Sequence, residues 1–248
     1  MSKKEKAVTR YSQSIEQNGV CKRLKIFIDN AKDAYGLSPQ SEIVFSSSAF
    51  LSEASPSPIE TEENIFELLR DIAELFPELH AVVIIKNPEV STDSEEYEFV
   101  KAHIRALFRA AVYGNFSLLC ESARTRSEYD RFTGTINKVF CELESEKREF
   151  NGYIQKGILI SSPLSVFCVT DCAADFFCID LDKLIPLMAG ETEPPSTILC
   201  EAAGSFSQIL KAVPVNKSLK LSIFSSKLFP NICNFAEMCG ASEIWYKK

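Results

Sequence analysis

Residues 157–184 read GILISSPLSVFCVTDCAADFFCIDLDKL, and two runs inside that stretch decide the fold. Residues 157–160 (GILI) and 176–179 (FFCI) are apolar without alternation, the pattern of strands covered on both faces, as in a parallel sheet. The fifteen or so residues between them are enough for a crossover that brings the chain back to the same edge. The spacing therefore predicts a βαβ unit.

Similar runs lie on either side of this unit. Residues 24–28 (LKIFI), 43–45 (IVF), 81–85 (AVVII), 116–120 (FSLLC), 197–200 (TILC) and 219–224 (LKLSIF) complete a set of eight strand candidates, with 219–224 read as the last. Between them, Pro58-Ile59-Glu60-Thr61-Glu62-Glu63 opens a helix with an acidic first turn, and Ile65, Leu68, Leu69, Ile72, Ala73 and Leu75 follow at helical spacing. Residues 97–114 and 129–150 carry two more helical patterns. The chain of 248 residues has the usual length of one (β/α)8 barrel. The expected architecture is an α/β, TIM-type (β/α)8 barrel over residues 21–248, preceded by a polar tail or helix at 1–20. Only AGETEPPS separates residue 188 from 197, so a shortened or missing helix is expected to distort the barrel there.

Hydrophobic residues make up 46% of the chain and charged residues 25%, with a formal charge of -7. Such a balance fits a soluble globular protein and opposes broad attraction to nucleic acid or to an anionic membrane. The basic start, MSKKEKAVTRYSQS, lacks the apolar run of a signal peptide, and no stretch has the length of a membrane span. A cytoplasmic protein is expected. The nine cysteines are scattered through apolar segments without a C-x-x-C, and the only histidines are His80 and His103. They are read as mostly reduced core residues, with no metal site. No P-loop, G-x-G-x-x-G or G-x-S-x-G pattern is present.

The motif letters resemble the phosphoenolpyruvate-binding barrel of enzyme I of the sugar phosphotransferase system, shared with pyruvate phosphate dikinase and PEP synthase. There the central pattern is roughly G-V-M-I-E-x-P-S-A followed by D-F-F-S-I-G-T-N-D-L. The segment HIRALFRAAVYG at 103–114 is similar to that family's L-R-A-I-L-R-A-S-A-Y-G, and LSIFSS at 221–226 to its L-S-M-S-P-S-S. The resemblance runs from about residue 24 to 235. It implies a barrel that uses Mg²⁺ and arginines to hold PEP, and often a dimer.

At the chemical positions the chain departs from that pattern. Gln40 stands where the family has a substrate arginine, and a neutral amide lacks the charge-assisted fork of a guanidinium. Ser161 replaces the glutamate metal ligand, and Asp182 and Lys183 stand at the asparagine and aspartate of the second ligand pair. With both carboxylates gone, no Mg²⁺ and no other cofactor is expected. Lys86 lies about one position from a second substrate arginine. Arg124 and Arg126 follow a strand's C-terminal end, the active-site face of a barrel. Lys86, Arg124, Arg126 and Lys183 are thus the candidate anion-binding residues. Cys200 is a candidate proton donor only after a one-residue shift; as written, the resemblance places Leu199 there. Arg105 and Arg109, four apart on one helix, are read as a packing and salt-bridge face. The expected function is a degenerate PEP-utilising barrel without catalysis, acting as a binding or regulatory module for a small anion, a second copy or a protein partner. The alternative is a divergent enzyme acting on PEP, pyruvate or another small oxyacid through those four cations.

Overall fold

The computed structural model describes residues 23–28, 42–46, 57–77, 80–86, 94–121, 123–166, 172–189, 218–223, 237, 240, 241 and 243–247. Its strands are β1 (Arg23–Ile28), β2 (Glu42–Ser46), β3 (His80–Lys86), β4 (Asn115–Glu121), β5 (Gln155–Ile160), β6 (Phe176–Asp180), β7 (Ser218–Ile223) and β8 (Glu243–Lys247). All neighbours pair in parallel, in sequence order, and β8 returns to β1 to close the barrel with Leu24 opposite Ile244. The described helices are α1 (Pro58–Leu75), α2 (Glu95–Ala110), α3 (Arg126–Ser145), the single turn α4 (Pro163–Val166) and α5 (Leu181–Ala189). The expected βαβ unit is present, with Gly157 opposite Phe176 and Ile160 opposite Ile179.

Seven strands fall where the apolar runs place them, and β8 has no counterpart among those runs. The sheet passes directly from β6 to β7, with Phe177 opposite Leu219. Residues 197–200, expected to form a strand, lie outside the described residues, as do Gln40, Leu199 and Cys200. Residues 219–224 are not the last strand, because β8 follows and supplies the closing edge. Its sequence, Glu-Ile-Trp-Tyr-Lys, carries a charge at each end and only three apolar residues between. Glu243 is nonetheless buried, accepting a hydrogen bond from Trp245 Nε1 at 3.1 Å. A buried carboxylate with a bound donor is tolerable, and a pattern read from apolar runs misses it.

The unalternated strands are apolar because each face meets a different core. Val44, Val82, Ile84, Leu119, Leu159, Phe176, Cys178 and Trp245 pack together as one cluster inside the barrel. Ala81, Val83, Ile85, Leu118, Ile158, Phe177 and Ile179 belong to a second cluster with Ile65, Leu69 and Ile72 of α1 and Ile104, Leu107 and Phe108 of α2. Gly157 suits the first cluster, since a Cβ there would overlap the edge of the Phe176 ring, within 2.7 Å of three of its atoms.

Three helices start at side-chain caps. Ser57 and Glu60 form a reciprocal capping box ahead of Pro58, and Thr125 and Glu128 form another at α3, while Ser94 Oγ accepts from Tyr97 N at 3.2 Å. The second box begins α3 three residues before the expected 129. It draws Arg124 and Arg126 into a helix start.

Candidate functional site

The carboxyl ends of β3, β4, β5 and β6 are marked by Lys86, Glu121, Ser161 and Asp180, at the end of the barrel where sites are built. Lys86 and Glu121 are register partners on adjacent strands. Asp180 ends β6, and its Oδ1 accepts the Lys183 backbone N–H at 3.1 Å, in the manner of a helix cap on α5. That first turn directs the Lys183 side chain back over the strand ends. Its Nζ lies 2.5 Å from Glu121 Oε1 and 3.6 Å from Asp180 Oδ2. Carboxylates from β4 and β6 thus converge on one ammonium.

Asp180 and Lys183 are both displaced from their ordinary ionisation. Burial pushes the Asp180 carboxyl up to about 6, against the pull of the Lys183 charge and its backbone N–H. Burial also opposes the charge on Lys183, but the Glu121 hydrogen bond and the two carboxylate charges outweigh it and raise the ammonium above its ordinary value. Asp180 is fully buried and its Oδ2 makes no hydrogen bond among the described residues, whereas the Lys183 side chain remains 51% exposed. With both carboxylates ionised, the triad carries one net negative charge.

The four expected anion-binding cations take different surroundings. Lys183 is held in the triad. Lys86, 60% exposed, makes a loose 3.9 Å pair with Glu96 of α2. Arg126 extends along its own helix to Asp130 at 3.5 Å and is 67% exposed. The backbone N–H of Arg124 is taken by Glu128 Oε2 at 2.6 Å, which fixes its place in the cap of α3. Lys86 and Lys183 share the strand ends through the Lys86–Glu121 register, while Arg126 turns towards its own helix. Ser161 is partly buried just past β5, and the adjacent Ser162 and Ser165 cap α4 by bonding each other's backbone and side-chain groups.

Glu121 and Asp180 went unremarked in the sequence, although both are carboxylates ending apolar strands. That position alone marks the active face of a barrel. Among the described residues no group of three or more His, Cys, Asp or Glu side chains could hold a metal ion. No described helix is long and apolar enough to cross a membrane. Of the four described cysteines, Cys120, Cys172 and Cys178 are buried and Cys141 is exposed.

Arg105 and Arg109 lie away from the strand ends, in the helical layer. Arg105 bonds Glu62 of α1 and Glu146 beyond α3, each at 2.6 Å. Arg109 bonds Glu62 at 2.7 Å and Glu63 at 2.8 Å and covers the Phe66 ring at 4.1 Å. A charged groove of about 350 Å³ follows this network between α1, α2 and α3. The reading of the two arginines as packing and salt-bridge residues agrees with this arrangement.

No family model and no curated protein sequence matches the chain. Solved structures do. A citrate lyase from Burkholderia xenovorans LB400 is 12% identical with a TM-score of 0.60, over 91% of this chain and 73% of its own. The malate synthase of Haloferax volcanii, as a lead(II) complex, is 14% identical with a TM-score of 0.58, over 92% of this chain and 70% of its own. An HpcH/HpaI aldolase from Desulfitobacterium hafniense DCB-2 is 14% identical with a TM-score of 0.52, over 95% of this chain and 89% of its own. None of these three is described as a PEP-utilising enzyme. The likeness shows the fold alone: the chain is an α/β TIM barrel, built like these lyase, synthase and aldolase structures.

Proposed function

We propose that the chain is a metal-free, catalytically silent relative of the PEP-utilising barrels, retained as a binding or regulatory module. The observation that carries this reading is Lys183, whose ammonium stands between Glu121 and Asp180 at the strand ends. Phosphoryl transfer depends on positioned cations that neutralise charge spreading over phosphate oxygens. Here the central cation is already neutralised by two carboxylates, and the surplus charge repels an anion. Gln40, Ser161 and Lys183 stand where the sequence resemblance implies an arginine and two metal carboxylates. A small anion reaching the strand ends would be met by Lys86, whose pair with Glu96 is loose.

A divergent enzyme acting on a small oxyacid is the second reading. The fold shared with lyase, synthase and aldolase structures favours it, although barrels host many chemistries and fold is weak support. The two readings separate when the protein is incubated with PEP, pyruvate or oxalate, with and without Mg²⁺. Phosphoryl transfer to a supplied histidine-containing acceptor and thermal stabilisation are the readouts. The module reading expects no transfer and no Mg²⁺-dependent stabilisation; Mg²⁺-dependent turnover overturns it.

A further inference from the structure

We propose that Glu121 and Asp180 form a divalent-cation site whose occupant in this chain is the tethered ammonium of Lys183. The inference deepens the metal-free reading above and rests on it. Two observations carry it independently. The first is convergence: carboxylates from β4 and β6, two strands separated by β5, meet at one cation, with Nζ 2.5 Å from Glu121 Oε1 and 3.6 Å from Asp180 Oδ2. The second is incomplete satisfaction. Asp180 Oδ2 is fully buried and accepts no hydrogen bond among the described residues, so the ammonium reaches one carboxylate at bonding distance and stays 3.6 Å from the other.

A buried carboxylate oxygen facing a cation it does not touch is better served by an ion between the two carboxylates. Hard divalent ions take oxygen ligands, and a Mg²⁺-type site commonly uses one or two protein carboxylates with water completing the shell. Ser161 lies partly buried just past the intervening β5. Lys183 excludes the ion by both charge and volume. Its stem starts at the third residue of α5 and its side chain is half exposed, so it can be removed without opening the core. Lys183 is thus an internal competitor at the place where a free metal would bind.

The test uses the full chain and Mn²⁺ as probe, with no substrate present, followed by titration calorimetry and by the Mn²⁺ spin-resonance signal. Lys183→Met removes the charge and keeps the stem; Lys183→Gln is a second neutral variant, and Lys183→Arg keeps the charge. The wild type and Lys183→Arg are expected to show no saturable Mn²⁺ binding at this site. Both neutral variants should bind Mn²⁺ saturably, at least tenfold more tightly than the weakest binding the titration detects, and the gain should vanish when Asp180→Asn or Glu121→Gln is added. Neutral variants that bind no better than the wild type overturn the proposal, as does a gain that survives both added substitutions. Tight Mn²⁺ binding by the wild type would instead overturn the metal-free reading itself, so the two failures are distinguishable.

Discussion

His103 on α2 is buried and its Nε2 makes no hydrogen bond among the described residues. Burial holds the imidazole down to about 4, against an ordinary value of 6.5. The folded protein therefore keeps this ring neutral over a range where the unfolded chain takes up a proton. Its contribution is complete above pH 6.5 and is lost as pH falls towards 4, about 3 kcal/mol in all. Urea midpoints should fall between pH 7.5 and pH 4.5, and the fall should be much smaller in His103→Phe. An equal fall in both proteins would show that His103 does not carry it. Gly157 sets a second limit at this scale. Gly157→Ala pushes a methyl into the Phe176 ring inside the barrel, so it should cost about 1–3 kcal/mol by chemical denaturation. An unchanged midpoint would mean that the ring moves freely.

The element scale is where the sequence read least evenly. Apolar runs placed β3 to β6 because strands covered on both faces need nothing but apolar residues. Pro58 announced α1 for an equally local reason, since its capping box is written in four consecutive residues. The box at Thr125 and Glu128 is written the same way, but surrounding charges obscure it, and Arg124 and Arg126 read in the sequence as cations past a strand end rather than as part of a helix start. The network joining α1, α2 and the end of α3 was legible only in part. The spacing of Arg105 and Arg109 gave a shared face, while Glu62, Glu63 and Glu146 became their partners through tertiary contact. The Arg109 side chain is 8% exposed, so Arg109→Ala leaves Glu62 with one arginine fewer at a poorly solvated position. A loss of about 3 kcal/mol is expected, with Arg109→Lys recovering only part of it, because an ammonium cannot make the forked contact to Glu63. A thermal melt indistinguishable from wild type would contradict this account of the helical layer.

At the scale of the whole molecule, closure depends on β8. That strand was the one missed, for it is short, charged at both ends and polar in a position that the barrel interior covers. Trp245 is fully buried in the interior cluster and donates to Glu243. Trp245→Ala should cost about 3–5 kcal/mol and broaden the unfolding transition; a sharp transition at the wild-type midpoint would show that closure does not depend on it. The candidate site was legible as losses, through Gln40, Ser161 and Lys183. What fills the strand ends was not, because Glu121 and Asp180 lie 59 residues apart in sequence and meet Lys183 only once β4 and β6 share a barrel. The central claim is that the cation at these strand ends is Lys183 and that no metal-assisted PEP chemistry takes place there. Isothermal titration of the wild-type protein with PEP, in the presence and absence of Mg²⁺, tests it most directly: the account predicts no Mg²⁺-dependent binding, and micromolar Mg²⁺-dependent binding of PEP that Lys183→Ala abolishes would contradict it.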